Sequence, residues 1–324
     1  MRDPATARPA LPTPENPPKA GALLVVNKDD ETLGIIDLEA GRVDAVVPLS
    51  GTTGHEVASD GRRAVVPIYS NVGVGKPGTD GHTIDVIDLA TRTRVATVDL
   101  GEHVRPHCAQ FADQTLYVTA EVSDDVLALD ATTLETIGRI PTGAPQAHML
   151  ALSADATIGC TANVEPGSIS ILDLTQRTLR AVVPVAERLN RIVLSADGRT
   201  AYSADQNAPR LAVVDTEAAE VRDWIDLPGV GFGAALTPTG SIVIALRREN
   251  AIAVIDPVSH RVEQVIPVPR GPQMIALDAS GRHAYTACQH DEVVVEVDLA
   301  RGGVTREFGV GRNPDGICWI EDLP

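Results

Sequence analysis

A run of apolar residues that ends in an aspartate and a turn recurs along the chain. Examples are "LGIIDLEAGRV", "ISILDLTQRTL" and "IAVIDPVSHRV". Successive copies lie 41 to 43 residues apart, except for one interval of 51. The aspartates of the seven copies are Asp37, Asp88, Asp130, Asp173, Asp215, Asp256 and Asp298. The chain is therefore a sevenfold repeat with one insertion.

Within each repeat, short alternating apolar segments are separated by turns that contain glycine, aspartate or asparagine. The segment "IVLSADGRTAYSAD", residues 192–205, shows one strand, one turn and the next strand. This pattern predicts antiparallel strands joined by tight turns. Four strands in about 42 residues match one blade of a β-propeller. We therefore predict an all-β, seven-bladed β-propeller with four antiparallel strands per blade, in a single domain over residues 21–324.

The two ends of the chain predict how the ring closes. The C-terminal segment "DGICWIED", residues 315–322, holds one strand, whereas the N-terminal segments "ALLVVNK", "TLGIID" and "RVDAVVPL" supply three strands without an innermost partner. One blade built from both ends leaves no free sheet edge inside the ring. The C-terminal strand is thus predicted to be the innermost strand of the N-terminal blade.

Composition narrows the classes of partner. The chain has 27 Lys plus Arg against 44 Asp plus Glu, for a net charge of -17. A surface this acidic repels phosphate backbones and anionic lipids, so we expect neither nucleic acid nor a membrane as partner. No window approaches the 18 uninterrupted apolar residues of a transmembrane helix. Since closed propellers need no partner to complete their sheets, we expect a monomer.

The first twenty residues, "MRDPATARPALPTPENPPKA", differ from the rest of the chain. They contain six prolines and lack the apolar central run of a secretory signal. We predict a disordered, proline-rich tail over residues 1–20. The four cysteines stand singly, without the spacing of a zinc knuckle or a disulfide framework, and are expected to be reduced and mostly buried. These features favour a cytoplasmic protein, with an exported form whose leader has been removed as the alternative.

Several strand motifs resemble those of a known family. The segments "LYVTA" at residues 116–120 and "SADGRTAYSAD" at residues 195–205, with the strands "VVDT" and "VIDP", are similar to the YVTN-repeat, lactonase-like seven-bladed β-propellers. The resemblance spans roughly residues 21–324 and implies the propeller fold. Members of such families include lactonases, lyases, surface proteins and binding scaffolds, so the resemblance leaves the function open.

Aligning the repeats on the first residue of the innermost strand places one residue per blade around one mouth of the central channel. The aligned positions lie 52, 41, 42, 42, 41 and 42 residues apart, in step with the repeat. These residues are His55, His107, His148, Asn190, Phe232, Gln273 and Asp315. Three neighbouring blades each supply a histidine, although the whole chain contains only 8. Chance placement explains this poorly, so the three histidines are candidate functional residues.

Three imidazoles on one arc of the ring are typical ligands of a divalent metal ion with open coordination positions. We predict that His55, His107 and His148 hold one such ion, Zn, Fe or Mn. Glu121, at the end of a second strand, is the expected fourth ligand. Glu56 is expected to orient an imidazole from beside the ion. The alternative is that the three histidines line a water-filled channel.

The other aligned positions predict a substrate site. Asn190 and Gln273 offer amide groups, and Phe232 offers an aromatic face, for an organic substrate of modest size. Arg191 and Tyr69 are further candidate substrate-binding residues.

The interval of 51 residues arises from an insertion, "YSNVGVGKPGTDGHT", at residues 69–83. Its glycines and its position on the face of the histidines predict a lid over the channel mouth. Arg105 and Arg247 would add anion recognition if their side chains reach that mouth.

Together these residues favour a metal-dependent enzyme that acts on a small organic substrate. The ion would polarise a carbonyl group or lower the pKa of a bound water toward ~7, with Asp315 or Glu56 as general base. Lactone or ester hydrolysis and a metal-assisted lyase reaction both fit, and oxygen chemistry at non-heme iron fits less well. The alternative is a non-catalytic propeller that binds a ligand or a protein across its mouth, for which a large exposed apolar patch is expected.

Overall fold

The computed structural model describes residues 21–51, 53–72 and 76–324. These residues form seven four-stranded antiparallel sheets arranged as the blades of a propeller. The predicted all-β, seven-bladed architecture is confirmed. The predicted tail, residues 1–20, lies outside the described residues.

The blades are numbered in chain order and their strands are given from the channel outward. Blade 1 contains β28 (Pro314–Ile320), β1 (Ala22–Asn27), β2 (Thr32–Asp37) and β3 (Arg42–Pro48), and blade 2 contains β4 (Ala58–Ser59), β5 (Arg63–Ser70), β6 (Asp80–Asp88) and β7 (Thr93–Asp99). Blade 3 contains β8 (Pro106–Ala112), β9 (Thr115–Ala120), β10 (Asp125–Asp130) and β11 (Thr136–Pro141), and blade 4 contains β12 (Ala147–Leu152), β13 (Ile158–Asn163), β14 (Ser168–Asp173) and β15 (Thr178–Pro184). Blade 5 contains β16 (Ile192–Leu194), β17 (Thr200–Ala204), β18 (Arg210–Asp215) and β19 (Glu220–Asp226). Blade 6 contains β20 (Gly231–Leu236), β21 (Ile242–Leu246), β22 (Ala251–Asp256) and β23 (Arg261–Pro267). Blade 7 contains β24 (Pro272–Leu277), β25 (His283–Cys288), β26 (Val293–Asp298) and β27 (Gly303–Gly309). One turn of 3-10 helix, Lys28–Asp30, joins β1 to β2.

The innermost strands pack against one another in blade order, and β24 of blade 7 contacts β28 of blade 1. Blade 1 is closed by antiparallel pairing of β28 with β1, in a register that places Ala22 opposite Ile320 and Val25 opposite Ile317. The predicted closure of the ring by both ends of the chain is therefore confirmed. Innermost strands begin, and second strands end, at the same end of the channel, which we call the upper mouth.

The repeated aspartate fixes the turn between the third and fourth strands of each blade. In blade 1, Asp37 Oδ1 accepts hydrogen bonds from the backbone N–H groups of Glu39 and Ala40, both at 2.8 Å. Equivalent bonds are accepted by Asp88, Asp130, Asp173, Asp215, Asp256 and Asp298. An aspartate that bonds the backbone two or three residues ahead stabilises a tight turn. The sevenfold motif therefore specifies the fold and not a functional site.

The core lies between the faces of neighbouring blades. Second strands are buried along their length, as β1 is, whereas outermost strands such as β15 expose alternate residues. All four cysteines are free, and three of them are buried. Among the described residues, no helix has the length and apolar character that a membrane crossing requires.

The insertion in blade 2 lengthens two strands as well as the loop between them. Strands β5 and β6 have 8 and 9 residues, so the connection is residues 71–79, shorter than the predicted 69–83. Tyr69 lies in β5 and is fully buried. Arg105 braces the insertion through an ion pair with Asp80 and a hydrogen bond to the Lys76 carbonyl oxygen at 2.8 Å. Residues 73–75 lie outside the described part, and the lid remains a prediction.

Candidate functional site

The three predicted histidines form a row at the upper mouth. His55 lies just before β4, while His107 and His148 are the second residues of β8 and β12. The imidazole centroids of His55 and His107 are 4.9 Å apart, and those of His107 and His148 are 3.5 Å apart. All three side chains are buried, His107 completely. The fold therefore brings together side chains that are 41 and 52 residues apart in sequence.

Glu121 and Tyr69 hold one end of this row. Glu121 Oε1 bonds to His148 Nδ1, and Glu121 Oε2 accepts a hydrogen bond from the Tyr69 hydroxyl at 2.5 Å. The Tyr69 ring meets the rings of His55 and His107 edge-on, with centroids 5.1 and 5.5 Å apart. Both carboxylate oxygens of Glu121 are thus engaged. Glu121 fixes the orientation of an imidazole, which is the role that we predicted for Glu56.

Three ring nitrogens in the row lack a hydrogen-bond partner. They are Nε2 of His55 and both nitrogens of His107. Burial lowers the pKa of His55 and of His148, and it lowers the pKa of His107 well below its usual range, with the neighbouring imidazoles adding to the effect. The imidazoles are therefore neutral at pH 7, with nitrogen lone pairs available to a bound species.

A cluster of charged side chains faces the histidines across the channel. Arg191 of blade 5 forms an ion pair with Glu56 of blade 2, and its other terminal nitrogen lies 3.7 Å from Asp315 of blade 1. Asp315 also lies 2.8 Å from Lys28 Nζ and 3.4 Å from His55 Nδ1. We call these four residues, Arg191, Glu56, Asp315 and Lys28, the channel ion cluster. Because Arg191 and Glu56 are three blades apart, their ion pair spans the channel beneath the imidazoles.

Burial and the neighbouring charges shift the pKa values of the two carboxyl groups in the channel ion cluster. Burial raises the pKa of Glu56 to about 7, with Asp315 adding to the rise and Arg191 opposing it. Burial also acts to raise the pKa of Asp315, but Lys28, His55 and Arg191 hold it far below its usual range. Asp315 is therefore a fixed anion at neutral pH.

Three of the predicted substrate residues, Asn190, Phe232 and Gln273, occupy the opposite arc of the mouth, whereas Tyr69 lies against the histidines. Gln273 is buried and donates hydrogen bonds to the Gly271 carbonyl oxygen at 3.1 Å and to Gln289 Oε1 at 3.2 Å. Asn190 is half-buried, and its side-chain oxygen has no partner. The ring of Phe232 lies 4.9 Å from the Arg191 guanidinium carbon. These side chains reach the mouth, where polar groups of a substrate could meet them.

The side chains at this site are of types that bind metal ions, but they are not arranged as ligands around one point. In the described part of the chain, no three His, Cys, Asp or Glu side chains are grouped as metal ligands. The imidazoles lie side by side, so an ion among them requires the rings of His55 and His107 to rotate about their side-chain torsions toward His148, which Glu121 holds in place. The unpartnered nitrogens of His55 and His107 are nevertheless the donors that Zn, Fe or Mn accepts from proteins.

Comparison with known proteins supports the architecture of the chain. No protein-family model matches the sequence, and no curated protein matches it. The structure is similar to that of a chain of Kuenenia stuttgartiensis hydrazine synthase, with a TM-score of 0.73 and 15% sequence identity over 91% of this chain and 99% of that chain. In all, 1719 solved chains match, so the fold is too common to indicate a function. The comparisons establish a seven-bladed β-propeller and leave the narrower YVTN-repeat assignment a prediction.

Sequence reasoning missed Lys28 as a member of this site. Lys28 is the first residue after β1, the second strand of blade 1, just as Glu121 is the first residue after β9 in blade 3. Extending the alignment of second-strand ends to the closing blade would have identified it. That blade is harder to align because it is assembled from both ends of the chain.

Acidification is expected to destabilise the metal-free protein. The ordinary pKa of histidine is ~6.5, and the folded-state pKa values of His55, His107 and His148 are lower. The unfolded chain therefore binds more protons below that pH, and stability falls as the pH drops from 6.5 toward 5.5. Each imidazole contributes up to about 1.4 kcal/mol per pH unit. Glu56 acts in the opposite direction, since its raised pKa makes protonation favour the folded state.

Urea denaturation at pH 7.0, 6.5, 6.0 and 5.5 measures this dependence. The variant His107→Phe should reduce its slope by up to about 1.4 kcal/mol per pH unit, because it removes the most deeply shifted imidazole. His82→Phe is the matched control, since the His82 side chain is 51% exposed, and its slope should equal that of the wild type. Equal slopes for wild type and His107→Phe would contradict the expectation.

Proposed function

We propose that the protein is a metal-dependent enzyme that acts on a small organic substrate at the upper mouth. One observation carries the proposal: three adjacent buried imidazoles leave three ring nitrogens without partners. Buried polar atoms without partners are costly and uncommon in native proteins, so a bound species is expected to satisfy them. Neutral imidazole is the commonest protein ligand of transition metals. His55, His107 and His148 would hold the ion.

The chain's own side chains prepare the site for this role. Through its bond to His148 Nδ1, Glu121 fixes the tautomer that presents Nε2, and Tyr69 fixes Glu121 in turn. Asp315 faces Nδ1 of His55, which leaves the buried Nε2 of that ring as the atom available to an ion. A metal ion bound there supplies polarisation of a carbonyl group or a water of lowered pKa.

The channel ion cluster closes the floor of the site. The Glu56 and Arg191 pair crosses the channel, and Glu56 also lines a cavity of about 480 Å³ with residues such as Met149 and Ile317. A substrate that enters from the upper mouth therefore meets the imidazoles, the amides of Asn190 and Gln273, and charged groups. This environment suits a polar organic molecule.

Hydrolysis of a lactone or an ester is the proposed reaction, and a metal-assisted elimination is the neighbouring possibility within the same class of site. The resemblance of the repeats to lactonase-like propellers favours hydrolysis. Of the two predicted bases, Glu56, whose pKa burial raises to about 7, is the better proton acceptor, whereas Asp315, a fixed anion, would orient His55. The variants Glu56→Gln and Asp315→Asn show which carboxylate accepts the proton and which orients a ligand. Loss of the proton acceptor lowers kcat, whereas loss of an orienting group also weakens metal retention.

The distribution of exposed apolar side chains favours an enzyme over a binding scaffold. A scaffold that captures a protein across its mouth is expected to carry a contiguous apolar patch there. The described residues instead expose large apolar side chains singly. Val122 follows Glu121 in a turn, Val258 lies in another turn, and five lie on the outermost strands of five different blades, namely Val46, Val95, Ile137, Val182 and Val265. Isolated exposed residues of this kind are ordinary surface features.

Elemental mass spectrometry of the purified, tag-free protein tests the proposal. We expect near-stoichiometric Zn, Fe or Mn in the wild type, loss of the metal in His107→Ala, and retention in the surface control His82→Ala. A wild type that is empty and fails to bind added Zn, Mn or Fe would contradict metal-dependent catalysis. The three histidines would then line the channel around water, and a non-catalytic binding propeller would become the leading hypothesis.

A further inference from the structure

A second cavity opens beside the upper mouth at the junction of blades 6 and 7. Its volume is about 580 Å³, and the side chains around it include Phe232, Arg247, Arg248, Arg270 and His290. We call this cavity the arginine cleft. None of its described lining residues is an aspartate or a glutamate. Such a lining is unexpected in a chain with 44 acidic and 27 basic residues.

Arg247 is the residue that distinguishes this cleft. Its guanidinium carbon lies 4.5 Å from the Phe232 ring centroid, and one terminal nitrogen donates to Gln289 Oε1 at 3.2 Å. Among the described residues it makes no ion pair with a carboxylate. Burial lowers the pKa of Arg247, the charge of Asp315 opposes this shift, and the charges of Arg191 and Arg248 add to it.

Three other arginines near the upper mouth are paired with carboxylates. Arg191 pairs with Glu56, Arg105 pairs with Asp80, and Arg270 pairs with Asp291. Their charges are therefore committed to the fold. A half-buried guanidinium without a carboxylate in contact bears a desolvation cost, which the Gln289 hydrogen bond, the Phe232 ring and the charge of Asp315 offset only in part. An anionic ligand would offset that cost through charge-assisted hydrogen bonds.

Phe232, which lines the cleft, also contacts Arg191 of the channel ion cluster. Phe232 lies within 5 Å of both guanidinium groups, 4.5 Å from that of Arg247 and 4.9 Å from that of Arg191. Arg191 in turn approaches Asp315, which faces His55. A molecule seated in the cleft can therefore extend from Arg247 toward the imidazoles along the rim of the mouth.

We propose that the arginine cleft binds an oxyanion group, a carboxylate or a phosphate, of the substrate, with Arg247 as its principal donor. The planar fork of a guanidinium matches both groups, and Phe232 holds the fork in place by stacking. The substrate is then an organic anion whose reacting carbonyl group lies on the side of the histidines. The assignment of this anion as a substrate rests on the proposed function, but its binding does not.

Isothermal titration calorimetry of the metal-free protein at low ionic strength tests the binding. Inorganic phosphate and propionate, titrated separately, represent the two anion classes, and the tighter of the two identifies the group that the cleft selects. We expect millimolar or tighter binding of at least one. Arg247→Gln should weaken it by about tenfold or more, because a charge-assisted hydrogen bond is lost.

Matched variants distinguish anion binding at the arginine cleft from a general effect of the protein's charge. Arg139→Gln removes the same charge from an exposed position on β11, and we expect unchanged affinity. Arg247→Lys keeps the charge but loses the fork, so we expect an intermediate affinity. Equal affinity of Arg247→Gln and the wild type, or no binding by the wild type, would overturn the proposal.

Stability and metal content supply independent readouts. Since Arg247 lacks a carboxylate partner, Arg247→Gln should be as resistant to urea as the wild type or more so. A destabilised Arg247→Gln would make Arg247 a structural residue and would also overturn the proposal. Metal should be retained in Arg247→Gln, and phosphate or propionate binding should be retained in His107→Ala. Failure of the anion site is thereby distinguished from failure of the metal site.

Discussion

Deletion of residues 314–324 is expected to abolish folding of the propeller. It removes β28, the innermost strand of blade 1, and leaves the fully buried β1 with an unpaired edge inside the ring. The buried side chains of Ile317 and Ile320 are lost with it, each worth ~1.5–3 kcal/mol. Blade 7 also loses its neighbour. The summed loss exceeds about 5 kcal/mol, a large part or all of the stability of a typical domain.

The measurement is soluble yield followed by guanidinium denaturation monitored by circular dichroism. Deletion of residues 1–18 is the control, since the composition of that segment predicts a disordered tail, and we expect its unfolding midpoint to match that of the full chain. Equal losses in the two truncations would contradict closure of the ring by β28.

Replacement of Arg191 by methionine is expected to lower the free energy of unfolding by about 3–5 kcal/mol. The Arg191 side chain is 4% exposed and lies between the carboxylates of Glu56 and Asp315. Its loss leaves Glu56 buried without a cation, while Asp315 keeps only Lys28. Removing one partner of a buried ion pair is costly because the remaining charge is shielded from water and no longer has an opposite charge beside it.

Urea denaturation of a double-mutant cycle measures this effect. Glu56→Gln combined with Arg191→Met should recover much of the loss, because the double variant buries no unpaired carboxylate at position 56. Arg180→Met is the matched control. Its ion pair with Asp173 is on the surface, with the Arg180 side chain 48% exposed, so we expect a loss below about 1 kcal/mol. A loss that small for Arg191→Met would show that the cross-channel pair contributes little.

The seven-bladed ring could be predicted from the sequence because the repeat leaves little freedom in the choice of fold. Units of about 42 residues with four strands form a blade, and the aligned positions fall on the innermost strands. The spacing of the repeats alone therefore places His55, His107 and His148 side by side. Closure by β28 followed from counting strands at the two ends.

Interactions across the ring could not be predicted in the same way. The pairing of Glu56 with Arg191 joins residues 135 positions apart in sequence, and it depends on the width of the channel. The same holds for Glu121, whose two oxygens are satisfied by His148 and Tyr69 rather than left free. Register along a repeat fixes which residues reach the mouth, but side-chain length and rotamer decide which of them touch.

The pairing of β1 with β28 also sets the order of events during synthesis. Of the described strands, β1 is made first and its inner partner β28 is made last. At ~5–20 residues per second, nearly 300 residues of translation leave the apolar edge "ALLVV" unpaired for roughly 15 to 60 s. Unpaired apolar edges promote association between chains. The nascent protein is therefore most vulnerable to aggregation just before its last strand is released, and a chaperone that shields β1 would increase the yield of native protein.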